Sequence, residues 1–309
     1  MTNALLEDRV AIVTGGGRGI GRAIAARLAA QGARVIIADN GASIDGRTCE
    51  PGVADKAAAE IGAQALAFDR DMSTPGAAAE AVALAVERFG AVDILVHAAA
   101  ILRDAMIFKG DPADFDAVIR TNLSAAYYLV NAAGPQLRAQ AKAGRAGGRI
   151  LLLTSSAGFY GNVGVAPYAA AKAGLLGLMR VAAHDLARSG VTANAIMPFA
   201  ATRVTEGIPA VTDTLKAYRE RALKVPAEPV AVMASYLASD LGASVTGQLF
   251  GVRGREVFLM SQPRPVARTI APEGGWSESA LAEAVSGSLA PSFFGMETDL
   301  EAFNIDPVL

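Results

Sequence analysis

The chain has 309 residues, 52% of them hydrophobic and 19% charged, with a formal net charge of −2. That length suits one large α/β domain, and the apolar fraction can fill a sizeable core. The near-neutral charge balance offers no polyanion-binding face, which argues against nucleic acid as a partner. The single cysteine, Cys49, rules out an intrachain disulfide framework and fits a reducing cytoplasm. No basic leader precedes an apolar run, and no stretch reaches the length of a membrane span, so neither a signal peptide nor membrane association is expected.

In chain order, the apolar run 10–13 predicts a first buried strand. A glycine-rich turn and an alanine-rich helix to about 31 follow, with Gly32 as the stop. Strands are expected at 35–38, 65–68, 94–97, 150–154, 191–197 and 249–252, and helices at 53–61, 75–89, 112–141 and 167–189. Residues 40–52, with glycines and a proline, read as a loop. Short, continuously apolar strands alternating with helices imply a parallel sheet covered on both faces and doubly wound through right-handed crossovers. Seven strands are expected. From about Gln262 prolines cluster, so the chain divides into a dinucleotide-binding and catalytic domain, 1–261, and a C-terminal extension, 262–309, packed on it.

The first turn reads Thr14-Gly15-Gly16-Gly17-Arg18-Gly19-Ile20-Gly21. Placed between a strand and a helix, it lets a pyrophosphate rest on the helix N-terminus, with glycines allowing the backbone close to the ligand. The strict G-x-G-x-x-G spacing is absent, because Arg22 stands at the last position. Asp39, at the end of the second strand, can accept hydrogen bonds from an adenosine ribose and would repel a 2′-phosphate, which favours NAD over NADP. Arg18 pulls the other way. A plainer reading has Asp39 starting a turn with Asn40. Asp71 and Met72 follow the third strand, where the adenine edge would fall.

Tyr168 and Lys172 are four apart at the start of an expected helix and so share a face. Lowering a phenol from about 10 to about 7 takes about 4 kcal/mol, which a nearby ammonium and an oxidised nicotinamide could supply together in a partly dry site. Ser155, at the end of the fifth strand, could hold a substrate oxygen beside the tyrosine, and Asn122 is a polar residue on an apolar helical stretch. Singly, each has a plain structural reading: a helix surface, a strand-end cap, a core amide. No metal-ligand spacing is seen.

With TGGGRGIG (14–21), Asp71, Asn122, Ser155, YAAAK (168–172) and NAIMP (194–198) in this order, the chain resembles the short-chain dehydrogenase/reductase family over roughly residues 7–252. The resemblance implies a Rossmann-like sheet and a hydride transfer between NAD(H) and a secondary alcohol or ketone. Tyr168 would exchange the proton, and Lys172 would lower its pKa and bind the nicotinamide ribose. Ser155 would orient the substrate, and Asn122 would hold a water. The cofactor would meet Gly15, Gly17, Arg18, Gly19, Ile20, Gly21, Asp39, Asp71, Met72, Ala98, Ala99, Tyr168, Lys172 and Pro198. The family forms dimers or tetramers, so a homo-oligomer is expected. One departure stands out. The family's N-N-A-G after strand four is His97-Ala98-Ala99-Ala100 here, so Ala100 must tolerate a turn suited to glycine, and His97 reads as a strand-end hydrogen-bonding residue. His184 reads as structural.

The segments 101–104, 155–162 and 202–205, with the long 40–55 loop, are most similar to the 3-hydroxyacyl-CoA dehydrogenase domain of peroxisomal multifunctional enzymes and their bacterial relatives. This implies an acyl-CoA substrate, whose phosphates need cations; Arg103, Lys109, Arg203 and Arg255 are candidates. The alternatives are a hydroxysteroid or simple alcohol dehydrogenase, a 3-oxoacyl carrier-protein reductase, or a non-catalytic NAD-binding scaffold or sensor.

Overall fold

The computed structural model describes residues 4–208 and 211–309. The remaining residues of the expected 1–261 domain, 1–3 and 209–210, lie outside the described residues. Eight strands form one sheet: β1 (Val10–Thr14), β2 (Arg34–Ala38), β3 (Ala65–Phe68), β4 (Ile94–His97), β5 (Arg149–Leu153), β6 (Thr192–Phe199), β7 (Leu249–Arg253) and β8 (Glu256–Leu259). Their order is β3-β2-β1-β4-β5-β6-β7-β8. The first seven pair in parallel, and β8 pairs antiparallel to β7. This is the doubly wound α/β sheet expected from the alternation of elements, with one strand more than the expected seven. The extra strand was hidden because an edge strand is half-exposed. Glu256 to Leu259 alternates between partly buried and exposed positions, and its short apolar run follows β7 across only Gly254 and Arg255, so strand and turn read as one element in the sequence.

The helices are α1 (Gly19–Ala30), α2 (Val53–Ile61), α3 (Pro75–Phe89), α4 (Pro112–Ile119), α5 (Ala125–Lys142), α6 (Ala157–Tyr160), α7 (Ala166–Asp185), α8 (Arg203–Glu206), α9 (Asp213–Ala222), α10 (Glu228–Ala238), α11 (Glu278–Ala284) and α12 (Asp299–Ala302). Successive strand residues point to opposite faces. Ile12, Ile36, Leu95, Ile150 and Leu152 meet the layer of α3, α5 and α7. Val13, Ile37, Ile94, Val96 and Leu151 meet that of α1, α2 and α10. A single polar break in any strand would face one of these two layers, which is why the runs are continuous.

Helix starts follow local chemistry. Thr74 accepts from Ala77 N and Asp111 from Ala113 N, each followed by a proline at the first helical position, where its missing N–H is not needed. The expected single helix 112–141 is instead two helices joined by a π turn, Arg120–Ser124, which carries Asn122. A π turn inside a helix shifts the register of the side chains that follow, and such turns gather at functional sites.

The extension also differs from expectation. The chain divides into residues up to Met260 together with Thr298–Leu309, and a smaller unit, Ser261–Glu297. The last twelve residues thus belong to the sheet unit rather than to an extension beginning at 262. Arg253 at the end of β7 explains this locally: it donates to the backbone oxygens of Phe303 (3.2 Å), Ile305 (3.1 Å) and Asp306 (3.4 Å). The unit Ser261–Glu297 contains α11, a π turn (Val285–Leu289) and a short 3-10 turn (Ala290–Ser292).

Candidate active site

Strand order reverses direction between β1 and β4, and a crevice opens there beyond the C-terminal strand ends. It is a cleft of about 680 Å³. The turn after β1 forms its floor. Gly15 has φ +64, and a Cβ there would lie 2.7 Å from Ala99 N, so only glycine lets the two strand ends approach this closely. Gly21 packs α1 against the turn in the same way, with any side chain colliding with Gly15 O.

Asp39 closes the far end. Its Oδ2 accepts from Gly17 N at 2.9 Å and its Oδ1 from Gly41 N at 2.8 Å, so the carboxylate is oriented by the turn it faces. Arg18 is not free beside it. Its guanidinium pairs with Glu50 and reaches Ala42 O at 3.5 Å. Arg203 reaches the same carbonyl at 3.3 Å, and burial together with the charge of Arg18 pulls its pKa down.

All the residues expected to hold a dinucleotide line this one cleft except Gly17, which lies behind Asp39. What sequence reasoning missed is the order in 40–52. Ala42 and Cys49 form a bridge, Leu102 N donates to Ile44 O at 2.8 Å, and Arg103 Nε donates to Asp45 O at 2.7 Å. Arg47 and Arg103 both grip Asp114 at 2.9 Å. The segment is an arm over the cleft. The pair Ser43 and Asp45, which hydrogen-bond each other at 2.5 Å, was the available turn signal.

At the other end of the cleft stand Tyr168 and Lys172 of α7, while Ser155, two residues after β5, and Asn122 lie outside its lining. Ser155 hydrogen-bonds Tyr168 and pulls its pKa down, but burial acts more strongly, and Asp299 and Asp104 oppose ionisation as well. The phenol is pushed up to about 12. Lys172 is buried, donates from Nζ to Leu153 O at 2.7 Å, and lies 5.6 Å over the Tyr168 ring. Burial lowers it to about 7. The expectation that Lys172 lowers the tyrosine therefore does not hold for the protein by itself. Burial is the largest cause of both shifts, and neither group is among the causes of the other's.

Asn122 is fully buried below them. Its Oδ1 accepts from Ile101 N at 2.8 Å and its Nδ2 donates to Ile101 O at 2.9 Å, so the side chain pins the segment after β4. His97 completes this layer. Its Nε2 lies 3.2 Å from Asn122 O and its Nδ1 3.0 Å from Thr14 Oγ1. Burial, with the charge of Lys172, lowers it to about 3. A neutral ring that donates to the carbonyl must accept from the threonine, which in turn accepts from the Ala98 and Ala99 amides. His97 thus takes the strand-end structural place expected of it. Ala100 is not strained, since Asp8 alone among the described non-glycine residues has a positive φ.

The remaining candidates separate cleanly. Arg103 and Arg203 line the cleft; Lys109 and Arg255 do not. His184 is exposed near the end of α7 and lies outside it. Among the described residues no group of three or more His, Cys, Asp or Glu side chains could hold a metal, and no helix is long and apolar enough to cross a membrane.

Residues 9–211 match the family model described as short chain dehydrogenase. The chain belongs to the short-chain dehydrogenase family. As a member it is an oxidoreductase acting on CH–OH groups with a nicotinamide cofactor, and the glycine floor and the Asp39 carboxylate fit the dinucleotide. It is 37% identical to a hydroxyacyl-CoA dehydrogenase, ChsB1, of Mycobacterium tuberculosis, covering 89% of this chain and 87% of that one. It is 36% identical to the peroxisomal multifunctional enzyme type 2 of Drosophila melanogaster, covering 82% of this chain and 42% of that protein. A crystal structure of a short chain dehydrogenase from Mycobacterium avium superposes with a TM-score of 0.78 at 35% identity, covering 93% of this chain and 96% of that one. The resemblance to the short-chain dehydrogenases, and within them to the multifunctional-enzyme group, is thereby established.

Proposed function

We propose that this short-chain dehydrogenase interconverts 3-hydroxyacyl-CoA and 3-oxoacyl-CoA thioesters with NAD(H). One observation carries the reading. A single cleft has Tyr168 with the buried Lys172 over its ring at one end and the oriented Asp39 carboxylate at the other. Tyr168 holds the proton exchanged with the substrate oxygen, and Ser155 orients that oxygen. Lys172, held against Leu153 O, serves the ribose side. Asn122 keeps the cleft wall at Ile101 in place. The dinucleotide, when bound, supplies the hydride exchange and, oxidised, a positive charge. Without it Tyr168 stays a phenol: from about 12 to neutrality is about 7 kcal/mol.

NAD rather than NADP is supported by Asp39, whose carboxylate is oriented by the glycine turn, and by Arg18, which pairs with Glu50. The thioester reading rests on the named relatives and on Arg203 at the cleft edge, a cation suited to a phosphate. The test is a panel of 3-hydroxyacyl-CoAs of several chain lengths, free hydroxysteroids, simple alcohols and 3-oxoacyl carrier protein. Activity confined to the non-CoA members would remove the thioester reading. Tighter binding of NADPH than NADH by fluorescence would remove the NAD reading.

The assembly we infer is a homo-oligomer, dimer or tetramer, through the exposed apolar side chains Phe115 of α4, Tyr127 of α5 and Val181 of α7. A monomer mass by light scattering would refute it. The place of action is the cytoplasm, which the exposed free thiol of Cys49 fits; fractionation that finds the protein elsewhere would refute that.

A further inference from the structure

The chain's last twelve residues run as a strap on the sheet unit, and they are firmly attached. Arg253 holds three of their carbonyls. Arg255 N donates to Val308 O at 2.8 Å, and Arg221 pairs with Asn304. Phe303 is buried in the core layer of α3, α5 and α7, with its ring 5.6 Å from Tyr160, 4.6 Å from Phe199 and 6.0 Å from Phe258.

At its start the strap meets the turn that carries Ser155. Ser156 Oγ donates to Asp299 Oδ2 at 2.8 Å, and Asp299 N donates to Gly161 O at 3.2 Å. Both ends of α6, the turn from Ser156 to Gly161, are thus held by one residue from the far end of the chain. Asp299 is only 7% exposed, and its Oδ1 is buried without a hydrogen-bond partner among the described residues. A buried carboxylate with one satisfied oxygen is costly to keep.

We propose that Asp299 is a positioning residue of the reaction centre, fixing the Ser155–Gly161 turn so that Ser155 stays in register with Tyr168.

The electrostatics agree. The Asp299 charge opposes ionisation of Tyr168 on α7 and of Tyr218 on α9. Burial raises the pKa of Asp299 itself, against the Ser156 hydrogen bond and the Leu300 and Asp299 backbone amides. The other charged neighbours are Asp104, which also opposes Tyr168, Lys172 over its ring, and Arg253 and Arg221, which act on Tyr218. The inference rests on the proposed role of Tyr168 as proton carrier, and the test separates the two.

Asp299→Asn keeps an oxygen for Ser156 and removes the charge; Asp299→Ala removes both. The readout needs no substrate. The phenolate absorbance of Tyr168, isolated as the difference from Tyr168→Phe, is titrated in the full chain saturated with NAD+ or NADP+, whichever binds tighter. In Asp299→Asn that titration should move to lower pH, with NADH affinity and melting temperature near wild type. With acetoacetyl-CoA and NADH, Asp299→Ala should lower kcat by up to about 100-fold, the scale of a small misplacement of a reacting group. KM for the dinucleotide should be unchanged, with partial recovery in Asp299→Asn. If Asp299→Ala does not fold, Ser156→Ala removes the same hydrogen bond by a smaller change and should lower kcat in the same direction. A folded Asp299→Ala whose tyrosine titration and kcat both stay at wild type overturns the proposal. Full turnover in Tyr168→Phe would instead overturn the role of Tyr168 and leave the titration to judge Asp299.

Discussion

The two ends of the cleft handle charge in opposite ways. At the Asp39 end, Asp39, Arg18, Glu50 and Arg203 meet near the surface, where Asp39 accepts from backbone amides, Arg18 pairs with Glu50 and Arg203 donates to a backbone carbonyl. At the reaction end, Lys172 and His97 are buried and Tyr168 is half-buried in the cleft wall, and burial is the largest cause of the shift in each: to about 12 for Tyr168, about 7 for Lys172 and about 3 for His97. All three shifts favour the neutral form. One end therefore recognises a ligand by charge and hydrogen-bond geometry. The other stores unsatisfied ionisation that a bound charge can release.

This contrast can be broken by four experiments. The largest effect is expected for Tyr168→Phe: turnover should fall by about 10²- to 10⁴-fold, the range of a lost general acid or base, with NADH binding by fluorescence retained. A loss of binding of the same size would mean that the two ends are not separable. Gly15→Ala comes next. With φ at +64 and Ala99 N 2.7 Å from the new Cβ, it should cost about 1–3 kcal/mol in denaturant unfolding and weaken NADH binding. An unchanged midpoint would show that the floor can yield.

Asp39→Ala removes a charged acceptor worth about 1.5–3 kcal/mol. NADH should bind about ten-fold or more weaker in titration, and the ratio of NADPH to NADH affinity should rise. A ratio that stays fixed would put the discrimination elsewhere, with Arg203 the nearest candidate.

The smallest effect is read per pH unit. His97 has a lowered pKa in the folded protein, about 3 against 6.5. Between these values the unfolded chain binds the extra proton. Stability is therefore fully present above 6.5 and falls as pH drops toward 3, by about 1.4 kcal/mol per unit at most. The slope of unfolding free energy against pH below 6.5 should be shallower in His97→Asn by that amount. Equal slopes would mean that the ring is already charged or hydrated.

Much of the Asp39 end was legible along the chain. The glycine turn, Asp39 and Asp71 lie next to strand ends, so identity and position along an element suffice to place them. The parallel, doubly wound sheet was legible for the same reason, since continuous apolar strands separated by helices leave few topologies. The reaction end was legible only as a set of residue types. Nothing in the spacing of Asn122 shows the π turn that aims it at Ile101, or that His97 spans Thr14 and Asn122. β8 was missed because half its residues face solvent, and the 40–52 arm because its order comes from Arg47 and Arg103 on Asp114.

The amino-acid order by itself determined the two-layered α/β core, the glycine floor and the residue types that carry proton and hydride chemistry. Those depend on period, on φ freedom and on side-chain functional groups, all local properties. Only the tertiary structure decided the ionisation of Tyr168 and Lys172, and that Asp299, 131 residues beyond the tyrosine in the chain, stands close enough to oppose it. Desolvation and Coulomb energy depend on what surrounds a group in space, and sequence separation carries no record of that.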